Sequence, residues 1–346
     1  METDGLMQST GYLERWMSSL PPHLSALPIF KLKIPGSHDS GSTIDLNVTL
    51  PVANDKPFIF RQLGRPKWVK NGIKRWAVTQ SSEIIEQLRL GVRYLDLRIS
   101  YPPSKLRTSN TDFRVVHGLY GAHLNELLAD VNSFLEENPK EVVLLDINHL
   151  YGFNQESFNV LRHEIVNILR QAQLCPFTTA IEKVTLDYVW SNGYRVIILS
   201  PSKKERPNSL FWSSKFIESP WPKTTNMALL LRKLEKDLET RSTIRESKPP
   251  HTFFVTQGVL TPHTHDVLLR WCSSLRNSFS LRATTRVLDW LGNLKPEYQK
   301  KVNVVILDFV SKKSSEKIIS LNFGEKSTTV SSAASSSNAT TKSLST

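Results

Sequence analysis

Seven short runs rich in β-branched residues, 30–34, 92–99, 113–117, 142–148, 195–200, 252–256 and 302–310, recur along the chain with helix-patterned stretches between them. Such alternation favours a mainly parallel sheet, because parallel neighbours need a long crossover and a helix is the usual one. Leu124, Leu127, Leu128, Val131, Phe134 and Leu135 follow the 3.6-residue period, as do Phe158, Leu161, Ile165, Ile168 and Leu169, so each stretch presents one apolar stripe to a sheet. A further helix is expected from about 81 to 90, ended by Gly91, a residue suited to a left-handed cap. Seven or eight strands with no Pro/Ser-rich hinge among them read more simply as one α/β barrel than as two domains. Barrels of this class commonly reach about 250 residues as a single unit.

Charge and cysteine usage narrow the function classes. The formal net charge is +12, from 44 Lys+Arg against 32 Asp+Glu, which favours an anionic partner without choosing between lipid and nucleic acid. No nucleic-acid motif accompanies the charge, so that partner is not expected. Nothing resembles GxSxG, a P-loop or GxGxxG in a suitable context, which leaves serine hydrolases, NTPases and dinucleotide enzymes without support. Cys175 and Cys272 have no CxxC spacing, so neither a disulfide framework nor a zinc site is implied and a reducing compartment fits best. The sequons at Asn47 and Asn338 are then expected to be unmodified. No stretch approaches the roughly 20 apolar residues of a membrane span. The expectation is a cytoplasmic protein in peripheral contact with membranes. Residues 1–12 read as a flexible N-terminus and 13–323 as the barrel; 324–346, rich in Ser and Thr, read as a disordered tail too polar to offset its chain entropy.

The chemistry gathers at strand ends. Ile34-Pro35-Gly36-Ser37-His38-Asp39-Ser40 and Val115-Val116-His117-Gly118 each read as a strand ending in a Gly-bearing turn that displays a histidine. Between them, the alternation of Gly91-Val92-Arg93-Tyr94-Leu95-Asp96-Leu97-Arg98 puts Asp96 and Arg98 on one face. Two imidazoles and a guanidinium at strand ends point to acid–base chemistry on a phosphate.

With EVVLLDINH at 141–149 and VNVVILDFV at 302–310, these motifs resemble the phosphatidylinositol-specific phospholipase C X-domain family, in particular its small single-domain members, over about residues 13 to 323. The resemblance implies a distorted TIM-type (β/α)8 barrel, α/β and single-domain, that cleaves phosphatidylinositol in membranes to diacylglycerol. His38 is then the candidate base that deprotonates the inositol 2-hydroxyl, which attacks the neighbouring phosphorus with the advantage of proximity. His117 is the candidate acid for the departing oxygen, and Arg98 the cation for charge building on the phosphoryl group. By resemblance to bacterial members, Asp308 supports His38 and Asp39 supports His117. Asp96 is expected to orient Arg98 and to lie with Asp146 and Asn148 at the substrate, although interior packing is nearly as good a reading of Asp146 and Asn148.

Multidomain eukaryotic members hold calcium through carboxylates, and here Arg98 stands at one of those positions, where a guanidinium supplies charge without an ion. No metal or other cofactor is expected, and a cyclic inositol phosphate is the expected first product. Asn148 departs from the Lys of the corresponding bacterial strand. Two alternatives remain: a metal-dependent glycerophosphodiesterase, disfavoured by Arg98, and a catalytically weak phosphoinositide-binding or scaffolding module. His149, next to Asn148, is expected to point toward a covering helix. His163 reads as a surface residue, and His123, His251, His263 and His265 carry no flanking signature. The segment 61–75 holds six Lys/Arg and no acid, with Trp68 inside and Trp76 after it; it reads as a basic loop or a membrane-facing patch. Phe211, Trp212 and Trp221 are placed at the mouth of the barrel on the same grounds.

Overall fold

A computed structural model of the protein describes residues 11–202, 209–241 and 251–323. The expected tail at 324–346, with Asn338, lies outside the described residues. So does the expected flexible N-terminus except Gly11 and Tyr12, and Tyr12 is packed into the core.

Eight parallel strands run around a nearly closed barrel in chain order. They are β1 (Ile34–Ser37), β2 (Tyr94–Ser100), β5 (Val143–Tyr151), β6 (Val196–Ser200), β7 (Phe211–Ser213), β8 (Ile217–Glu218), β9 (Phe253–Gln257) and β10 (Val304–Leu307), with β10 returning to pair with β1. An antiparallel hairpin, β3 (Arg114–His117) and β4 (Leu119–His123), is attached to the far end of β2. The ring stays open at one seam for a covalent reason. Only the turn Ser214–Phe216 joins β7 to β8, far less than the dozen or so residues a parallel pair needs to cross over. These two strands therefore pair outward, with β6 and β9 respectively.

The period of two along each strand sorts its residues into separate cores. Ile34, Tyr94, Leu144, Ile197, Val255, Val304 and Ile306 fill the barrel interior, whereas Leu95, Leu97, Val143, Leu145, Ile198, Val305 and Leu307 pack outward under the helices. Gly36 belongs to the interior layer. A Cβ there would lie 2.9 Å from Ile306 and 3.0 Å from the Tyr94 ring, so a larger residue would force the strands apart.

The outer layer is formed by α1 (Phe58–Leu63), α2 (Lys67–Ala77), α3 (Ile84–Arg89), α4 (Leu124–Glu137), α5 (Gln155–Leu169), α6 (Leu186–Ser191), α7 (Met227–Thr240), α8 (Thr264–Leu269), α9 (Leu281–Gly292) and α10 (Lys312–Ser320). Gly91, just beyond α3, has φ +97°, the left-handed geometry expected of it. The 61–75 stretch is not a loop but parts of α1 and α2. Phe211 and Trp212 are buried in β7, and Trp212 packs on Phe177 and Phe253; both belong to the core rather than to the mouth.

At the N-terminal ends of the strands, Leu13, Trp16 and Met17 plug the barrel floor. A fully buried ion pair fastens this plug. Arg93 meets Glu141 at 2.8 Å and donates to the carbonyls of Leu13, Glu14, Leu88 and Val92, while Glu141 accepts the amides of Met17 and Ser18.

Candidate active site

The site lies at the opposite end, where β1, β2, β3 and β10 finish. His38 leaves β1 with its amide bonded to the Leu307 carbonyl of β10, and Ser40 donates to the Asp96 carbonyl of β2, so the turn straddles both neighbours. Between them Asp39 adopts φ +42°, a left-handed conformation disfavoured for a side-chain-bearing residue. Surrounding bonds hold it there: the Asp39 amide donates to Asp96, and its carbonyl accepts from Thr79 Oγ1. Gln80 clamps the same turn to β10, donating to the His38 and Leu307 carbonyls and accepting from the Val310 amide. Neither Thr79 nor Gln80 stands out in the sequence, because their partners lie on other strands.

His38, Asp39, Arg98, His117 and Asp308 converge. His38 Nδ1 lies 2.8 Å from Asp308 Oδ1, and the other Asp308 oxygen accepts from Ser280 Oγ at 2.7 Å. His117 Nδ1 lies 2.7 Å from the Ala77 carbonyl. A carboxylate and a carbonyl only accept, so each Nδ1 carries a proton and each Nε2 faces the site. Both Nε2 atoms approach the same oxygen, Asp39 Oδ2, at 3.6 Å from His38 and 3.4 Å from His117, so they lie within 7.0 Å of each other. Arg98 pairs with the other Asp39 oxygen, and its Nη2 stands 3.4 Å from His38 Nε2. No directed hydrogen bond reaches the Asp39 carboxylate. Charge attraction from Arg98, and from either imidazole when protonated, holds it instead.

Electrostatics separate the two imidazoles. Burial opposes protonation of His38, but Asp39 and Asp308 outweigh it and the pKa is raised. At His117 burial, helped by the charges of Arg98, Lys56 and His38, prevails over Asp39 and the pKa is lowered. Burial works to raise the Asp39 pKa, yet Arg98 and the two histidines bring it down, so the carboxylate stays ionised. If neutral His38 is the working base, activity rises as pH climbs through its raised pKa. Asp308→Asn removes one charge responsible for the rise while keeping an acceptor for Nδ1. The acidic limb of the pH–rate profile should then move to lower pH, and an unmoved limb would detach Asp308 from the titration.

Asp39, not Asp96, grips the guanidinium. The two Asp96 oxygens are taken by the Asp39 amide and by Asn148 Nδ2, each at 3.1 Å, so the Asp96 carboxylate acts on Arg98 through its charge. Asp146 lies beside Asp96 in register and is buried against the Tyr94 hydroxyl. Burial and the charge of Asp96 push its pKa up to about 7. Among the described residues, the group whose donor atoms could hold a metal is His38, Asp39 and Asp96, with ligand atoms within 4.8 Å of one another. Asp39 Oδ1 pairs with Arg98 and both Asp96 oxygens accept N–H donors, so the guanidinium already supplies positive charge beside these carboxylates.

His149 is the main correction to the expected site. A bulge after Ile147 shifts the β2–β5 register, so Arg98 pairs with His149 and Asn148 becomes the extra residue. A bulge turns consecutive side chains toward one side of a strand. Asn148 thus reaches Asp96, while His149 is exposed, stacked on Tyr151 and within the field of Arg98 instead of beneath a covering helix. Two other neighbours, Ser280 and Lys56, have no local signature, whereas Trp221 lies at the mouth where the sequence placed it. Ser280 sits on a π-helical turn, Arg276–Ser280, that ends against Asp308. Lys56 acts on Asp39 and His117. Trp221, the one aromatic of its group at the mouth, lies with its ring 5.3 Å from that of His38. Of the histidines without a signature, His123 pairs with Asp112, His251 stacks on Phe30, and His263 stacks on His265; His163 is exposed, as expected.

No protein-family model matches the chain. Among curated proteins it is 34% identical to PI-PLC X domain-containing protein 2 of Mus musculus over 297 residues, 85% of this chain and 83% of that one. It is 33% identical to PI-PLC X domain-containing protein 3 of Homo sapiens, covering 86% and 89% of the two chains. Among solved structures, the phosphatidylinositol-specific phospholipase C from Listeria monocytogenes superposes with a TM-score of 0.61 at 20% identity, covering 89% of this chain and 98% of that one. A variant of the corresponding Staphylococcus aureus enzyme gives 0.58 at 17%, covering 91% and 97%.

Proposed function

The chain belongs to the PI-PLC X domain-containing protein family, and from that membership we propose that it cleaves phosphatidylinositol without a metal ion. The observation that carries this reading is the approach of two Nε2 atoms and one guanidinium to a single buried carboxylate. His38 Nε2 takes the proton of the inositol 2-hydroxyl. The oxygen bonds to phosphorus as the bond to the glycerol oxygen breaks, and His117 Nε2 gives that oxygen its proton. Diacylglycerol and inositol cyclic phosphate result, and a proton exchange with solvent returns both imidazoles to their starting states. Arg98 neutralises charge on the phosphoryl oxygens and Asp39 keeps Arg98 and His117 in register. The unliganded site, with the His38 pKa raised and the His117 pKa lowered, holds its protons the other way round. A bound phosphodiester anion beside both rings favours protonation of His117 and is part of what starts the reaction.

A membrane role draws on the exposed side chains of α1 and α2. Phe58, Ile59, Phe60 and Leu63 are exposed, and Trp68 is 68% exposed, among the basic residues Arg61, Arg65 and Lys67. Apolar and aromatic side chains mixed with cations suit peripheral contact with an anionic bilayer. No helix among the described residues is long and apolar enough to cross a membrane. Cys175 and Cys272 are both unpaired, which supports a reducing, cytoplasmic location.

Labelled phosphatidylinositol presented in EDTA tests the reaction. Release of cyclic phosphate should continue undiminished with excess chelator. Strict Ca²⁺ dependence would reject the guanidinium argument. The unliganded proton arrangement also favours a second reading, a phosphoinositide-binding module with weak turnover. Vesicle binding without product at any pH between 5 and 9 would select it.

A further inference from the structure

The first turns of α7 and α9 enclose a second cationic feature, which the reaction does not use. A cleft of about 650 Å³ is lined by Arg232, Arg282 and Arg286, with Met227, Ala228 and Leu231 completing its wall. No carboxylate lines it, and none of the three arginines has an ion-pair or hydrogen-bond partner among the described residues. Arg282 and Arg286 are four apart on one helix, a like-charge spacing that destabilises the helix unless an anion sits between them. The α7 side contributes a third cation across the gap, while Leu230 and Leu234 of that helix and Ala283 and Val287 of α9 face the core.

The cleft lies at the catalytic end of the barrel. α7 follows β8, so its first turns start from the strand C-termini. The start of α9 is bonded to the site itself, through Ser280 Oγ to the Asp308 side chain and Thr284 Oγ1 to the Asp308 carbonyl. Ser280 and Thr284 thus hold the strand end while Arg282 and Arg286 look away from it. Beside the cleft, Leu229 and Leu281 are 36% and 48% exposed. Cations flanked by exposed leucines are complementary to the phosphate layer of an acidic bilayer and the acyl region beneath it.

We infer that this arginine cleft is a docking site for the phosphate-bearing headgroup of an acidic membrane lipid other than the one being cleaved. The inference rests on the membrane-acting reading only for choosing a bilayer lipid over a soluble anion. Its test therefore measures binding, to a lipid that is not a substrate. Sedimentation with phosphatidylcholine vesicles containing phosphatidylserine compares the parent chain with Arg232→Glu/Arg282→Glu/Arg286→Glu. The comparison variant is Lys31→Glu/Lys183→Glu/Lys300→Glu, which changes net charge equally at exposed positions near the opposite end. Near-ultraviolet circular dichroism establishes that both variants fold, and single reversals replace the triple if it does not.

The arginine reversals should weaken vesicle binding about tenfold or more, the lysine reversals about threefold or less. Equal losses would overturn the inference in favour of a general field effect, as would an unchanged arginine variant. Arginine-dependent binding of inorganic phosphate, with vesicle binding unaffected, would overturn the lipid assignment. A parent chain without turnover on phosphatidylinositol, whose vesicle binding still depends on the three arginines, would sink the catalytic reading and leave this one standing.

Discussion

His38→Ala and His117→Ala are each expected to lower turnover of phosphatidylinositol by about 10² to 10⁴-fold, the usual range for a positioned acid or base. The expectation follows from where the two Nε2 atoms point. Each Nδ1 is occupied by an acceptor, Asp308 or the Ala77 carbonyl, so the other nitrogen of each ring faces the shared Asp39 oxygen. Groups that act in one concerted transfer are not additive. The double replacement should therefore cost little more than the worse single change. Vesicle binding and thermal unfolding measured on the same variants separate a chemical defect from a folding one. A well-folded variant that retained activity within tenfold of the parent would remove that histidine from the proton transfers.

Glu141→Leu should be the most destabilising single change, at about 3 to 5 kcal/mol, because it leaves the Arg93 guanidinium buried without its counter-charge. That loss is a large fraction of the 5 to 15 kcal/mol typical of a folded domain. Both side chains are fully buried, and the Glu141 carboxylate also accepts two amides of the N-terminal plug, at Met17 and Ser18. Adding Arg93→Met is not expected to restore stability. A hydrophobic pair relieves the lone charge but removes the side-chain partners of the Leu13, Glu14 and Val92 carbonyls and of the Met17 and Ser18 amides. Urea unfolding at pH 7 reads both effects. A loss below about 1 kcal/mol for Glu141→Leu would show that the plug is not anchored through this pair.

The five motif segments carry much of the architecture in their local patterns. Runs rich in β-branched residues identified β2, β3, β5, β6, β9 and β10, while the run at 30–34 begins in a helical turn and reaches only the first residue of β1. The helical period identified α4 and α5 with their buried faces. The antiparallel hairpin partner β4 and the short β7 and β8 escaped notice, since two or three residues hold no period. Burial was the other weak point. Phe211 and Trp212 share a loop-like context with Trp221, yet only Trp221 is at the mouth, because β7 pairs into the barrel and buries Trp212 in its interior and Phe211 under the outer helices. The basic 61–75 stretch shows the converse. Its helical folding separates Trp76, which is buried, from Trp68, which is not.

What the residues determined alone was a set of strand ends presenting His38, Arg98 and His117, because period and turn chemistry act over a few neighbours; Asp39 and Asp308 joined them through the family resemblance. What the tertiary structure decided was their partnership. Asp39 takes Arg98 away from Asp96, Ser280 backs Asp308 across 28 residues, and a bulge brings His149 round beside Arg98. Each of these depends on register between strands and helices distant in the chain. Register is set by packing the whole barrel, so no local period encodes it.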